Sequence, residues 1–330
     1  MGEHDSGACE GCRDHRGLTA LSPPPILGFD DPDCENPSEA GGKGAGLARM
    51  TRMGLPVPAG FVIRASVLSE LLDATGVRER VLSLLAGARD GAAESSLAVQ
   101  PLIRAIQLPA GFSADVLHAF EQMHDHAGVA VRSSACAEDS SAASFAGQQE
   151  TYLNVKGADQ LLDRIRDCWA SFFSERALFY RSRKGNLVDL GMAVVVQRQL
   201  APDRSGVMFT IDPVRRRRDQ MMIEAVWGLG EAVVSGNATP DHYVVSRDGA
   251  VKQARVSVQE VAMRADDGGG VIQHALTPEE GGARVLDDAD LAALVKLGRQ
   301  LEAHFGHPLD VEWAFEKGKL YLLQSRPVTT

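Results

Sequence analysis

The residues whose types and spacing best suit chemistry lie near the C-terminus, from His307 to Pro327. Apolar and aromatic runs flank Lys317-Gly318-Lys319, the pattern of two short strands joined by a Gly-centred turn. A hairpin folded about Gly318 sets Glu312 opposite Gln324 and Asp310 opposite Arg326. Side chains alternate along a strand, so these four share one face, with Val311, Trp313, Leu323 and Ser325 on the other. Two carboxylates, an amide and an arginine could hold a divalent metal and a phosphate, because hard cations take oxygen ligands and Mg²⁺ is often bound through one or two carboxylates plus substrate phosphates. Cross-strand ion pairs on an exposed face are the ordinary alternative.

Two further segments tilt that choice. Gly41-Gly42-Lys43-Gly44-Ala45-Gly46 opens a helix carrying Leu47, Met50 and Met53 at helical spacing. Backbone N–H groups at a helix start face an anion, and a lysine there adds a point charge. The segment is neither G-x-x-x-x-G-K-[ST] nor G-x-G-x-x-G, so alone it is weak, and a plain glycine turn fits as well. Val129-Ala130-Val131-Arg132 reads as a short strand ending in arginine. The Ser/Ala/Gly-rich run from Ser133 to Thr151 follows it. A long loop of small residues can close over a phosphate chain while the arginine clamps two oxygens at once; a plain surface loop is the alternative.

The elements that must position these groups are mixed. Amphipathic helices are expected over 67–85 and 113–126, with a polar linker at 87–96. A further helix is expected from Ala158 to Arg183, its Trp169, Phe172, Phe173, Leu178 and Phe179 in the core. Met192–Gln197 reads as a buried strand. Gly206–Thr210, Met221–Val226 and His242–Val245 read as strands of an antiparallel sheet, and Asp287–Phe305 as a helix. Trp227–Gly236 is a glycine loop whose G-x-G lacks a third glycine, so no dinucleotide fold follows from it.

With 330 residues the chain can hold two packed domains, and its 44% apolar and 24% charged content is that of a globular protein. A net charge of −10 argues against a general nucleic-acid or membrane-surface binder. The one basic run, Arg215-Arg216-Arg217-Arg218, is expected in a solvated loop, with docking of an acidic partner as second choice. Five scattered cysteines suit a reducing compartment, and no apolar run reaches membrane-spanning length, so the cytoplasm is the expected location. Residues 1–25 are expected to be a flexible extension. His4, Cys9, Cys12 and His15 fall within it at a span too short to close a zinc finger.

These motifs together resemble the nucleotide-binding N-terminal domain of the phosphoenolpyruvate synthase, pyruvate phosphate dikinase and rifampicin phosphotransferase family, a distant form of the ATP-grasp fold. The resemblance runs from about Gly28 to Pro327. It is carried by Gly41-Gly42-Lys43-Gly44, Val131-Arg132-Ser133-Ser134-Ala135, Ser144 to Thr151, Gly206-Val207-Met208-Phe209-Thr210, Trp227-Gly228-Leu229-Gly230-Glu231, Asp310-Val311-Glu312-Trp313 and Leu323-Gln324-Ser325-Arg326-Pro327. It implies an α+β fold of two lobes with a nucleotide cleft between them, divided at 26–190 and 191–330. It implies ATP and Mg²⁺ as cofactors, with Lys43 and Arg132 on the phosphates and Gly147 and Thr151 in the loop that covers them. Gln197 falls at the adenine end, Glu312 and Gln324 on the metal with Asp310 beside them, and Arg326 on the transferring phosphates.

In that family the phosphoryl group passes to a histidine on a swivelling domain and then to an acceptor on a third domain. Thr330 falls where the first domain ends, and none of the histidines lies in a segment like the swivelling domain. The expected function is therefore that of an ATP-dependent phosphotransferase domain. It would cleave Mg-ATP and supply a phosphoryl group to a separate His-bearing domain or protein, for final transfer to pyruvate or another small acceptor. A kinase acting directly on a small molecule and a nucleotide-binding module without turnover are the other readings.

Overall fold

The computed structural model describes residues 24–123, 128–136, 150–234, 236 and 238–328. Two antiparallel sheets organise them. The first comprises β1 (Ile26–Gly28), β2 (Gly60–Ile63), β3 (Val129–Ala135), β4 (Thr151–Val155) and β5 (Met192–Arg198), in the spatial order β1-β2-β5-β3-β4. The second comprises β6 (Arg204–Phe209), β7 (Gln220–Trp227), β8 (Asp241–Ser246), β9 (Val251–Arg255), β12 (Leu309–Glu316) and β13 (Lys319–Pro327), in the order β13-β12-β6-β7-β8-β9. In sequence between β9 and β12, β10 (Val261–Ala265) and β11 (Val271–Ala275) form a separate two-stranded ribbon. The α+β expectation holds.

Helix α1 (Pro37–Arg52) packs with both sheets. Its Leu47, Ala48 and Met50 join a core that takes Val62, Ala193 and Val195 from the first sheet and Val311, Trp313 and Leu322 from the second. The other face of the first sheet is covered by α2 (Ser66–Ala74), α3 (Arg78–Ala86), α4 (Ala92–Arg104), α5 (Ala110–Glu121), α6 (Ala158–Ser171) and α7 (Glu175–Lys184), which share a second core with Met192, Val194 and Val196. Strand β5 thus alternates between two cores, which explains why its run is apolar at every position but the last two: a strand covered on both faces has no solvent side. For the same reason β5 sits at the centre of the first sheet, between β2 and β3. The chain passes from the first sheet to the second between the end of β5 at Arg198 and the start of β6 at Arg204.

Two short helices, α8 (Glu231–Val234) and α9 (Pro278–Gly282), precede α10 (Asp288–Phe305). A reciprocal capping box between Asp287 and Asp290 starts α10, and Gly306 in left-handed conformation ends it. Leu291, Leu294 and Leu301 bury against the second sheet, each stabilising by roughly 1.5–3 kcal/mol.

Three helical expectations need correction. The 67–85 stretch is two helices, broken at Gly76, and the 158–183 stretch is two helices, broken where Ser174 caps α7 through its hydroxyl. Phe179, expected in the core, is 54% exposed, because the restart rotates it outward. Much of the supposed linker at 87–96 belongs to α4, whose Ser95 and Ser96 are buried small polar residues that composition alone reads as loop. Among the described residues no helix is long and apolar enough to cross a membrane.

Candidate active site

The hairpin expected at the C-terminus forms with Asp310 opposite Arg326 and Glu312 opposite Gln324. The path to that register differs from the one expected. The turn is Lys317-Gly318, both at positive φ, so that the strand ends pair Glu316 with Lys319 and Trp313 with Leu322. A bulge beside Glu312 then leaves Leu323 unpaired and restores the expected pairing beyond it. Leu322, not Leu323, therefore joins Trp313 in the core. The bulge frees a carbonyl, and that carbonyl has a use.

Arg132, on β3 of the first sheet, reaches the bulge on the second. Its Nη1 donates to Leu323 O at 2.9 Å, and its Nη2 donates to Gln324 Oε1 at 2.6 Å and Glu312 Oε2 at 3.2 Å. The guanidinium is buried, and among the described residues its Nε has no hydrogen-bond partner. Beside it, Arg326 places Nε and Nη2 each 2.8 Å from Asp310 Oδ2. Four residues chosen from sequence thus meet Arg132 or each other.

Asp310 is 8% exposed, and burial pushes its carboxyl above its ordinary value of 3.8. The Arg326 guanidinium opposes that rise, while Glu312 and Glu224 add to it. A carboxyl whose folded pKa is raised favours folding below its ordinary value and loses that contribution as pH climbs through the raised one. Ionised Asp310 is consequently a liability at neutral pH. Asp310→Asn should melt no lower than wild type at pH 7, any gain shrinking as pH falls toward the ordinary 3.8. Thermal melts across that range check this; a lower melting temperature at pH 7 would contradict it.

Lys43 is positioned by a break. Gly41 adopts φ 66°, ψ 174° inside α1, so the helix restarts at Gly42 with Lys43 in its first turn. Buried Ser134, two residues beyond Arg132 on β3, supplies the missing cap: its Oγ accepts from Gly44 N at 3.3 Å and donates to Ala40 O at 2.9 Å. The Lys43 turn and the Arg132 strand are joined through this one hydroxyl.

Thr151 lies directly opposite Arg132 on β4, at the end of the expected cover loop, and is exposed. Gly147 lies outside the described residues. So does the His4, Cys9, Cys12 and His15 set. Gln197 lies opposite Ala130, so it shares the sheet face of Arg132. It is 2% exposed, and its Nε2 donates to Pro58 O at 3.4 Å. The carboxamide is thus held at the end of β5 where the chain leaves for the second sheet.

Sequence reasoning missed four participants. Ser134 and the Leu323 carbonyl are invisible without register. Glu224 and His242 continue the row that runs Gln324, Glu312, Val207 across the second sheet, and pair with each other at 3.7 Å. A lone acid in the apolar run Met221–Val226 was the available signal.

The donor set fits a divalent cation. Glu312 Oε2 and Gln324 Oε1 converge on a single cationic nitrogen, Arg132 Nη2, and are hard oxygen donors beside the second carboxylate, Asp310. Among the described residues no group of three or more His, Cys, Asp or Glu side chains is placed to hold a metal ion, so any cation here would draw on the Gln324 amide oxygen as well as carboxylates.

The family model described as pyruvate phosphate dikinase, AMP/ATP-binding domain, matches residues 37–330. A probable phosphoenolpyruvate synthase of Archaeoglobus fulgidus is 42% identical over 93% of this chain, and a rifampicin phosphotransferase of a Streptomyces species is 39% identical over 92%. The chain spans less than half of those relatives, 42% and 36% of their lengths. Among solved structures, D-alanyl-alanine synthetase A of Vibrio cholerae aligns at a TM-score of 0.35 and 12% identity, over 91% of this chain and 58% of that one. That likeness is too weak to carry an argument.

Proposed function

Because the chain belongs to the pyruvate phosphate dikinase AMP/ATP-binding domain family, we propose that it binds Mg-ATP between its two sheets. In this reading it supplies a phosphoryl group to a histidine on a separate domain or protein, for final transfer to pyruvate or another small acceptor. The observation that carries the reading is Arg132, rooted in one sheet and bound to Glu312, Gln324 and Leu323 O on the other. A cation fork and an acid–amide pair in one place are what a triphosphate and its metal require.

Each residue then has a task. Lys43 and the restarted helix end hold phosphate oxygens with an ammonium and backbone N–H groups. Arg132 clamps two oxygens, and Arg326, oriented by Asp310, meets the group in transfer. Gln197 offers its carboxamide to the base, and Thr151 anchors the cover loop. Glu312 and Gln324, helped by Asp310, hold Mg²⁺, which when bound neutralises phosphate charge. The protein's contribution is alignment and fixed charge, since phosphoryl transfer asks for little covalent chemistry.

The test uses ATP labelled separately at the β and γ phosphates, with Mg²⁺, with and without cell extract. Acid-labile, base-stable label on a protein histidine supports the proposal. Label found only in a small molecule, or in nothing, overturns it.

A further inference from the structure

We infer that Arg132 competes with the divalent cation for the Glu312–Gln324 pair, so that metal is admitted with nucleotide and not alone. This rests on the assignment of that pair to the metal. The two oxygens assigned are the same two that accept from Arg132 Nη2, at 3.2 and 2.6 Å. A guanidinium nitrogen and a metal ion cannot both sit between them.

Three features give Arg132 this role. First, its seat is built: Nη1 is fixed on the bulge carbonyl of Leu323, so the side chain from β3 is held across the gap. Second, the neighbouring carboxylate is neutralised in the same way, Asp310 by Arg326. A lone divalent cation therefore meets carboxylates whose charge is already balanced. Third, the seat is imperfect, because the buried Nε of Arg132 has no acceptor among the described residues. An unsatisfied buried donor favours any rearrangement that supplies one. Nucleotide phosphates offer arginine a charged, bidentate partner. Once Arg132 turns to them, Glu312 Oε2 and Gln324 Oε1 are released to the cation. Metal and nucleotide then raise each other's affinity by the same factor, as linkage requires.

The test is Mn²⁺ binding without nucleotide, followed by the electron paramagnetic resonance signal of free Mn²⁺. Arg132→Met keeps the apolar stem and should bind Mn²⁺ at least ten-fold tighter than wild type. Arg132→Lys, which keeps the charge and loses the fork, should fall between. Adding Glu312→Gln to Arg132→Met should remove the gain, and Arg326→Met should give a smaller one, since Arg326 bonds Asp310 instead. A gain in Arg326→Met equal to that in Arg132→Met would reduce the effect to general electrostatics and overturn the inference. So would wild-type Mn²⁺ affinity in folded Arg132→Met and Arg132→Lys. If, in that event, Glu312→Gln still abolishes binding of Mn-ATP, the proposed function stands without this inference. If Glu312→Gln binds Mn-ATP like wild type, the metal assignment falls with it.

Discussion

Glu312→Gln is expected to cut phosphoryl transfer by about a hundred-fold or more while leaving the fold intact. The amide keeps the size of the side chain and an oxygen to accept from Arg132 Nη2. What disappears is one negative charge at the point where Arg132, Gln324 and Asp310 converge. Fixed charges in such sites act through the electrostatics of the transition state, and removing one such contact typically costs 10²–10³ in rate. A hundred-fold loss is about 2.7 kcal/mol at about 1.36 kcal/mol per decade. The stability cost should be smaller, about 1 kcal/mol or less, because the Glu312 side chain is 31% exposed and solvent screens its pairing with Arg132. Rates and thermal melts on the same preparation separate the two effects. Wild-type turnover would remove Glu312 from the chemistry.

Gly41→Ala is expected to damage the site from a distance. Gly41 combines positive φ with extended ψ, a region essentially reserved for glycine. A Cβ there would also collide with the Ser134 hydroxyl and backbone, coming within 2.6 Å of its carbonyl carbon. Strain of about 1–3 kcal/mol and a similar overpacking term both apply. Relief of the clash must move Ser134 away from Ala40 O and Gly44 N, the bonds that set the Lys43 turn. Loss of ATP affinity should therefore accompany a clear fall in melting temperature. Gly54→Ala is the control: its φ is 71°, but a Cβ there meets nothing within 4 Å. It should show the strain alone and bind ATP normally in calorimetry. If Gly41→Ala binds ATP like Gly54→Ala, Ser134 does not couple the two segments.

What the sequence revealed follows the range of the interaction. Alternation along β12 and β13 places Asp310, Glu312, Gln324 and Arg326 on one face, because period-two geometry is local. The bulge at Leu323 is not legible that way. It depends on how the hairpin seats against β6 and on Arg132, which lies 191 residues from Leu323 in sequence. The same limit hides the sheet to which β5 belongs: its valines declare burial on two faces but not which neighbours supply it. Phe179 was misplaced because an aromatic at helical spacing says core only while the helix continues, and Ser174 restarts it. Lys43 was found through its glycines, yet the hydroxyl that holds its turn lies on β3, outside any local window.

The proposed function requires a metal–nucleotide complex between the sheets with its cation on Glu312 and Gln324. A crystal of the protein with Mn²⁺ and a non-hydrolysable ATP analogue, read by the anomalous signal of manganese, tests it most directly. A peak is expected at coordination distance from Glu312 Oε2 and Gln324 Oε1, with the phosphates against Lys43 and Arg132. A peak away from both residues, or a nucleotide bound elsewhere on the molecule, would contradict it.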